Sequence, residues 1–431
     1  RIQEKAAKIY GADESYFLVN GSTSGILSAI SATIPQKGKL LMTRGCHKAV
    51  YHAAYLRNLE IQYLYPGVHP QFGCNLPVTA EEIAQALEAD HEIDAVCIVS
   101  PTYEGLVADV EEIAKVVHEK GLPLIVDEAH GAHLGFHPAW PQSSVTQGAD
   151  IVIQSLHKTL PAPTQTAVLH VNGNRIHRKE LQKYLRIYQT SSPSYLFLAA
   201  MEEAIEITSN RAEELFGTFL QNWTKMCDTL KKCRHLHFPA VPGMDIGKLV
   251  IADKSNTFSG QQLYEKLLHQ YHLQPEMAAG RYVLAMFTVG DTSEGYERLT
   301  NALLEIDKEC EKQAVLQIES MQSMGEATVS DVSIAKRNPA GLPQVSVLPV
   351  RYSLWESWGQ DTKEVEMKRA AGCVAGDFIN MYPPGIPLIV PGEVFTEELC
   401  IYIQNCIQNG LNVQGVTIRD GVAFAPVLVE N

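Results

Sequence analysis

Three short stretches carry acid, amine and hydroxyl groups at spacings that suit work on a small anionic cofactor. They are "NGSTSGILSAI" (20–30), "VDEAHGAH" (126–133) and "SLHKTL" (155–160). The first follows the strand-like "YFLV" and opens a helix. Free N–H groups and a positive dipole end make such a helix start an anion site. Ser22 and Thr23 add hydroxyls there. Asp127 is a carboxylate projecting at a strand end, and Lys158 is a lone amine in an apolar neighbourhood after the strand "IVIQ". A phosphate site, a carboxylate and a lysine form the set that serves pyridoxal phosphate. The lysine makes the Schiff base and the acid partners the pyridinium nitrogen. Each piece also has an ordinary use, as a helix cap, a turn former or a solvated lysine. The weight lies in their order, their strand-end contexts and the 31 residues from Asp127 to Lys158, room for one helix-sized connection and one strand.

Two other chemistries are suggested by the same letters and fail. Asp127–His130 spell a helicase DEAH box, but that ATPase needs G-x-x-x-x-G-K-[ST]. The nearest stretch, "PGMDIGKLV", has one residue too few between its glycines and Leu249 after its lysine. His130, His133 and His137 have helix-face spacing, but "VDEAH" ends a strand-like run and "GFHP" is a poor helix, so no metal site is expected. Glu128, His133 and His137 are read as structural.

The composition narrows the class. Hydrophobic residues at 45% and charged residues at 19% are those of an ordinary globular chain. A net charge of −14, from 35 basic and 49 acidic residues, argues against a nucleic-acid partner. It suits a cationic substrate, and equally a solvated acidic surface. Nine scattered cysteines with no C-x-x-C pair exclude a disulfide scaffold or zinc ribbon and point to a reducing cytoplasm. No run of eighteen apolar residues occurs, so no membrane span is expected, and no signal peptide is visible in a chain that opens with "RIQEKAAKIY".

The elements that must position these groups are strands alternating with helices. Candidate strands are Tyr16–Val19, Leu40–Thr43, Ile61–Tyr65, Ala95–Ser100, Pro123–Asp127, Ile151–Gln154 and Thr166–His170, with amphipathic helices such as Thr79–Glu88 and Val110–Lys120 between several of them. Alternation with near-continuous apolar strands means a buried, mostly parallel seven-stranded sheet covered by helices. Ligands then sit at the carboxyl ends of the strands. A long helix is expected from Glu202 to about Lys232. The length fits two or three domains. We divide it into a large domain (1–235), a smaller α/β domain (236–315) with strands in "KLVIAD" (248–253) and "YVLAMFTVG" (282–290), a polar linker (316–345) and a C-terminal α+β segment (346–431) with the Pro-rich "YPPGIPLIVPGE" (382–393).

"FLVNGSTSG", "RGCHKAV", "VDEAHGAHLGFH", "GADIVIQSLHKTLPAPTQTAVLH" and "YPPGIPLIVPGE", in this order, resemble the ornithine/lysine/arginine decarboxylases, in the short form without an N-terminal wing domain. The resemblance covers nearly the whole chain. It implies a fold-type-I pyridoxal 5'-phosphate enzyme that removes the carboxylate of a basic amino acid to leave a di- or polyamine precursor. It gives Lys158 the Schiff base, Asp127 the pyridine nitrogen, His47 one ring face and Ala129 the other. Ser22, Thr23, Ser155 and His157 take the phosphate side, and His130 lies beside the ring hydroxyl or the reacting carboxylate. Ser191 and Ser192, in "TSSPSY", reach a partner's phosphate site, which makes the enzyme a homodimer with shared active sites. Glu393, in "PGE", is a candidate for the substrate's distal cation, against an ordinary surface glutamate. Lys158 or His130 returns the proton to Cα. Family members carry a further segment before the region matching Arg1, so an N-terminal segment is expected to be missing from the sequence as it stands. The alternatives are another reaction on the same fold, transamination or aldol cleavage, and a non-catalytic relative that regulates a true decarboxylase. The combined presence of Lys158, Asp127 and His47 speaks against the last.

Overall fold

The computed structural model describes residues 1–431 except 70–72, 240, 242, 256, 324–346, 383–384 and 430–431. Seven strands form the large sheet: β1 (Glu14–Leu18), β2 (Lys39–Thr43), β3 (Glu60–Leu64), β4 (Ala95–Val99), β5 (Leu124–Asp127), β6 (Ile151–Gln154) and β7 (Ala167–Val171). Their order is β1-β7-β6-β5-β4-β2-β3. Pairs among β2 to β6 are parallel, and β7 runs antiparallel to both β1 and β6. β1, β2, β4, β5 and β6 therefore end at the same edge. β7 returns antiparallel to β6 after a connection that holds the short helix Leu156–Thr159.

Strand alternation explains the two cores. Val96 and Ile98 of β4, Val126 of β5 and Val152 of β6 face one cluster, with the helices Ala80–Ala89 and Val110–Glu119. Ala95 and Cys97, Ile125, and Ile151 with Ile153 face the other, under the helices Gly21–Thr33 and Lys48–Arg57. Burial on both faces is what makes the strands read as unbroken apolar runs. The helix Gly21–Thr33 can lie this close to the sheet because residue 25 is glycine: a Cβ there would sit 2.6 Å from Leu18 Cδ1.

The single helix expected over 202–232 is two, Tyr195–Asn210 and Ala212–Leu230, with Arg211 between them at φ −117°, ψ 23°. Thr208, Ser209 and Asn210 precede the break, and such residues compete with helical hydrogen bonding. A second, antiparallel sheet follows: β8 (Leu236–His237), β9 (Lys248–Asp253), β10 (Met277–Ala278) and β11 (Tyr282–Met286). The helix Ser293–Ser323 runs into the region expected to be a polar linker, since "ECEKQAVLQIESMQS" contains no helix breaker. The rest of that expected linker, 324–345, lies outside the described residues.

The C-terminal segment holds two three-stranded sheets and the helix Glu397–Gln408. Ile386–Ile389, in the Pro-rich stretch, is an edge strand, where Pro387 leaves no ladder bond unmade. This segment docks on the helix Lys48–Arg57. Leu354, Phe378 and Val390 join the large domain's core, and Trp358 stacks on His52 with centroids 5.5 Å apart.

Candidate active site

A cavity of about 320 Å³ opens at the edge where these strands end, within the usual size for a small-molecule site. Its wall brings together Ser22, Thr23, His47, Asp127, Ala129, His130, Ser155, His157 and Lys158. Each sits just past a strand: Ser22 and Thr23 after β1, His47 after β2, Asp127 to His130 at the end of β5, and Ser155 to Lys158 after β6. Met381, Leu388 and Tyr402 from the C-terminal segment close it with apolar surface.

At the helix start Gly21–Thr33, the Ser155 hydroxyl donates to Ser22 Oγ at 2.9 Å. His157 Nδ1–H donates to the Thr166 carbonyl at 2.8 Å, which fixes its tautomer. Asp127 is buried and accepts from the Ala129 amide at 3.2 Å. Burial pushes its pKa up, and the Lys158 cation pulls the other way. The Lys158 amine is pushed down by burial, with Asp127 and Glu276 opposing. Its Nζ lies 3.0 Å from His130 Nε2. The group is thus held closer to a free amine than a surface lysine is.

His47 caps the helix Lys48–Arg57, accepting from the Ala49 amide at Nδ1 over 3.2 Å. The ring is neutral with Nε2 protonated. Burial, then the charges of Lys158 and Lys48, push its pKa from 6.5 to about 4. The unfolded chain takes up this proton and the folded chain resists it. The stability His47 contributes is present above about pH 6.5 and is lost as pH falls toward about 4, roughly 3 kcal/mol in all. Urea unfolding of the cofactor-free chain at pH 7 and pH 5 should show about 2 kcal/mol of this loss, and His47→Phe should flatten it. An equal loss in that variant would assign the effect elsewhere.

Three expected site residues lie elsewhere. Glu393 is not on the wall. It is buried, with Oε2 3.0 Å from Arg44 Nη2 and 2.7 Å from the Val390 amide. It balances a buried guanidinium. Ser191 and Ser192 are exposed and outside this chain's own cavity. Glu128 accepts from Ser143 Oγ at 2.8 Å, the Ser144 amide at 2.7 Å and Gln154 Nε2 at 2.9 Å. His133 bonds Asp245 at 3.1 Å, and His137 stacks on Phe216.

Other groups come from segments whose local sequence gave no sign of a site. Lys248, the first residue of β9, places Nζ 3.0 Å from His130 Nδ1. Glu104, after β4, is a buried carboxylate on the wall and accepts from the Tyr282 hydroxyl at 2.6 Å. The Tyr103 ring meets His130 edge-on at 4.6 Å, and its hydroxyl donates to Glu276.

The chain matches the family pattern "Orn/Lys/Arg decarboxylase, major domain" over residues 1–294 and the matching C-terminal domain over residues 341–415. It belongs to the Orn/Lys/Arg decarboxylase family. This family member is 28% identical to the arginine decarboxylase of Bacillus anthracis, over 96% of this chain and 81% of the relative. It is 33% identical to the protein YaaO of Bacillus subtilis (strain 168), over 96% of this chain and 82% of that one. The structure of lysine decarboxylase A from Pseudomonas aeruginosa shares the fold with a TM-score of 0.81 at 20% identity, over 99% of this chain and 71% of that chain. The Orn/Lys/Arg decarboxylase family member thus has the fold-type-I architecture of pyridoxal-phosphate enzymes and is an amino-acid decarboxylase, a carboxy-lyase.

Proposed function

We propose that the chain releases carbon dioxide from arginine, lysine or ornithine, using pyridoxal 5'-phosphate held at Lys158. The observation that carries this is the largely buried Lys158 amine, which shares one strand-end cavity with Asp127, His130 and the Ser22–Ser155 hydroxyl pair. The donor set fits the cofactor: hydroxyls at a helix start for a phosphate, a buried carboxylate for a ring cation, and an amine biased toward its free form for an aldehyde. When bound, pyridoxal phosphate supplies an electron-poor ring that takes up the electron pair of the breaking Cα–carboxylate bond.

The protein's own groups do the rest. Ser22, Thr23, Ser155 and His157 hold the phosphate oxygens. Asp127 keeps the pyridine nitrogen protonated, in surroundings where its charge acts with little screening. His47 and Ala129 bound the ring. Glu104 on the wall takes the substrate's distal cation, a role for which Glu393 was a candidate from the sequence. The reaction consumes one proton at Cα, and Lys158 and His130 are the groups placed to deliver it. The chain works as a homodimer in the cytoplasm. Supporting this, Tyr195 at 83% and Leu196 at 80% exposure leave an apolar surface beside Ser191 and Ser192, and all nine cysteines are free. No helix among the described residues is long and apolar enough to cross a membrane.

The test is the visible absorption spectrum with added pyridoxal phosphate, followed by arginine, lysine and ornithine in turn with carbon dioxide trapped. A cofactor band that one substrate perturbs, with gas released, is expected and names the substrate. A keto acid or aldehyde as product would replace the decarboxylase reading. A band that no substrate moves would favour a regulatory relative.

A further inference from the structure

Both ring nitrogens of His130 face a lysine amine, Lys158 at 3.0 Å from Nε2 and Lys248 at 3.0 Å from Nδ1. A neutral imidazole carries one proton and one lone pair in its plane. It can accept from only one of the two lysines and must donate to the other. A protonated ring between two ammonium groups would set three cations side by side in the interior, which desolvation forbids. One lysine of the pair is therefore a free amine in this arrangement.

We propose that Lys248 is a positioning residue: as the ammonium partner it donates to His130 Nδ1, fixes the Nε2–H tautomer and so keeps Lys158 as the free amine. More acids surround Lys248 than Lys158, and Glu276 is shared. Lys248 faces Asp245, Glu276 and Glu104, and Lys158 faces Asp127 and Glu276. His130 also faces His133, His157 and the Tyr103 ring. Burial lowers the Lys248 pKa to about 8, with any charge on Lys158 adding to this and the three acids opposing it, so Lys248 stays mostly charged at neutral pH.

The fold is built to hold Lys248 there. Its stem lies against Gly105, at φ +95°, where a Cβ would come within 2.6 Å of Lys248 Cγ. The Asp245 amide donates to the Gly105 carbonyl at 2.8 Å, and the Lys248 amide donates to the Asp245 carbonyl at 3.1 Å. The β9 segment is thereby clamped to the loop after β4, and the second sheet supplies the charge that tunes the large sheet's lysine. An ordinary lysine is protonated at neutral pH and cannot attack a carbonyl. A neighbouring N–H donor with a fixed cation behind it disfavours that protonation.

The inference rests on Lys158 being the residue that bonds the cofactor, and the test separates the two. Nitrogen-15 histidine spectra of the cofactor-free protein, assigned by the signal lost in His130→Gln, read the tautomer directly. The Nε2–H form is expected. The Nδ1–H form would overturn the proposal whether or not any variant folds. In Lys248→Met the tautomer preference should disappear. The pH midpoint for capture of pyridoxal phosphate should rise by at least about one unit, slowing capture at pH 7 about tenfold. Lys248→Arg should restore the tautomer. A folded Lys248→Met protein with unchanged tautomer and midpoint would refute the role. If the unaltered protein neither captures the aldehyde nor releases carbon dioxide, the functional reading fails, while the tautomer still judges Lys248.

Discussion

Lys158→Ala is expected to lower turnover by about 10⁴-fold or more, the scale seen when a nucleophile is removed from a site that is otherwise intact. Cofactor should still bind, because Ser22, Ser155, Asp127 and His47 are untouched and hold the cavity together through their own bonds. The bound cofactor should be released by denaturation even after borohydride reduction, whereas the unaltered chain should retain it. Lys158→Arg sets a permanent cation beside Asp127 and should be as inactive. Its failure would show that covalent bonding, and not charge balance, is what Lys158 provides. Near-normal turnover in either variant would remove Lys158 from the mechanism.

Glu393→Gln should act on stability and not on substrate. Arg44 and Glu393 have side chains only 2% and 3% exposed, and Arg44 Nη1 also donates to the Tyr51 hydroxyl at 2.8 Å and to the Pro387 carbonyl at 3.0 Å. Its guanidinium lies 5.1 Å from the Tyr63 ring centroid. Removing one partner of such a pair leaves an uncompensated charge and costs about 3–5 kcal/mol. The unfolding midpoint should fall accordingly, with KM for the basic amino acid within about twofold of its starting value. Adding Arg44→Met should recover part of the loss, since it takes away the stranded cation. A KM that rose tenfold at unchanged stability would return Glu393 to the substrate.

The residues that the sequence made legible share a physical cause. "AVCIV" and "IVIQ" read as strands because both faces are buried, and Asp127 and Lys158 drew notice through their order, their spacing and their place at strand ends, where ligands sit in such sheets. The antiparallel β7 was not separable from its parallel neighbours, since its residues are buried on both faces alike. The break at Arg211 was hidden because the apolar spacing continues across it. Lys248 stood in the sequence only as the first residue of the strand-like "KLVIAD". What makes it different is contact with Gly105 and His130, 118 positions before it in the latter case, and nothing local encodes that. Glu393 misled for the same reason, as its partner is Arg44 at the other end of the chain.

That last pairing sets a timetable for biosynthesis. Arg44 leaves the ribosome 349 residues before the carboxylate that neutralises it. At ordinary elongation rates this is roughly 20 to 70 s. Throughout that time the helix Lys48–Arg57 also lacks the cover that Leu354, Phe378 and Val390 will supply. The nascent large domain must keep a hydrated cation and a sticky apolar face open to the cell, and it can seal both only after Glu393 has been made. A message broken before that codon should therefore yield a chain prone to aggregation and proteolysis, however complete its cofactor-binding stretches are.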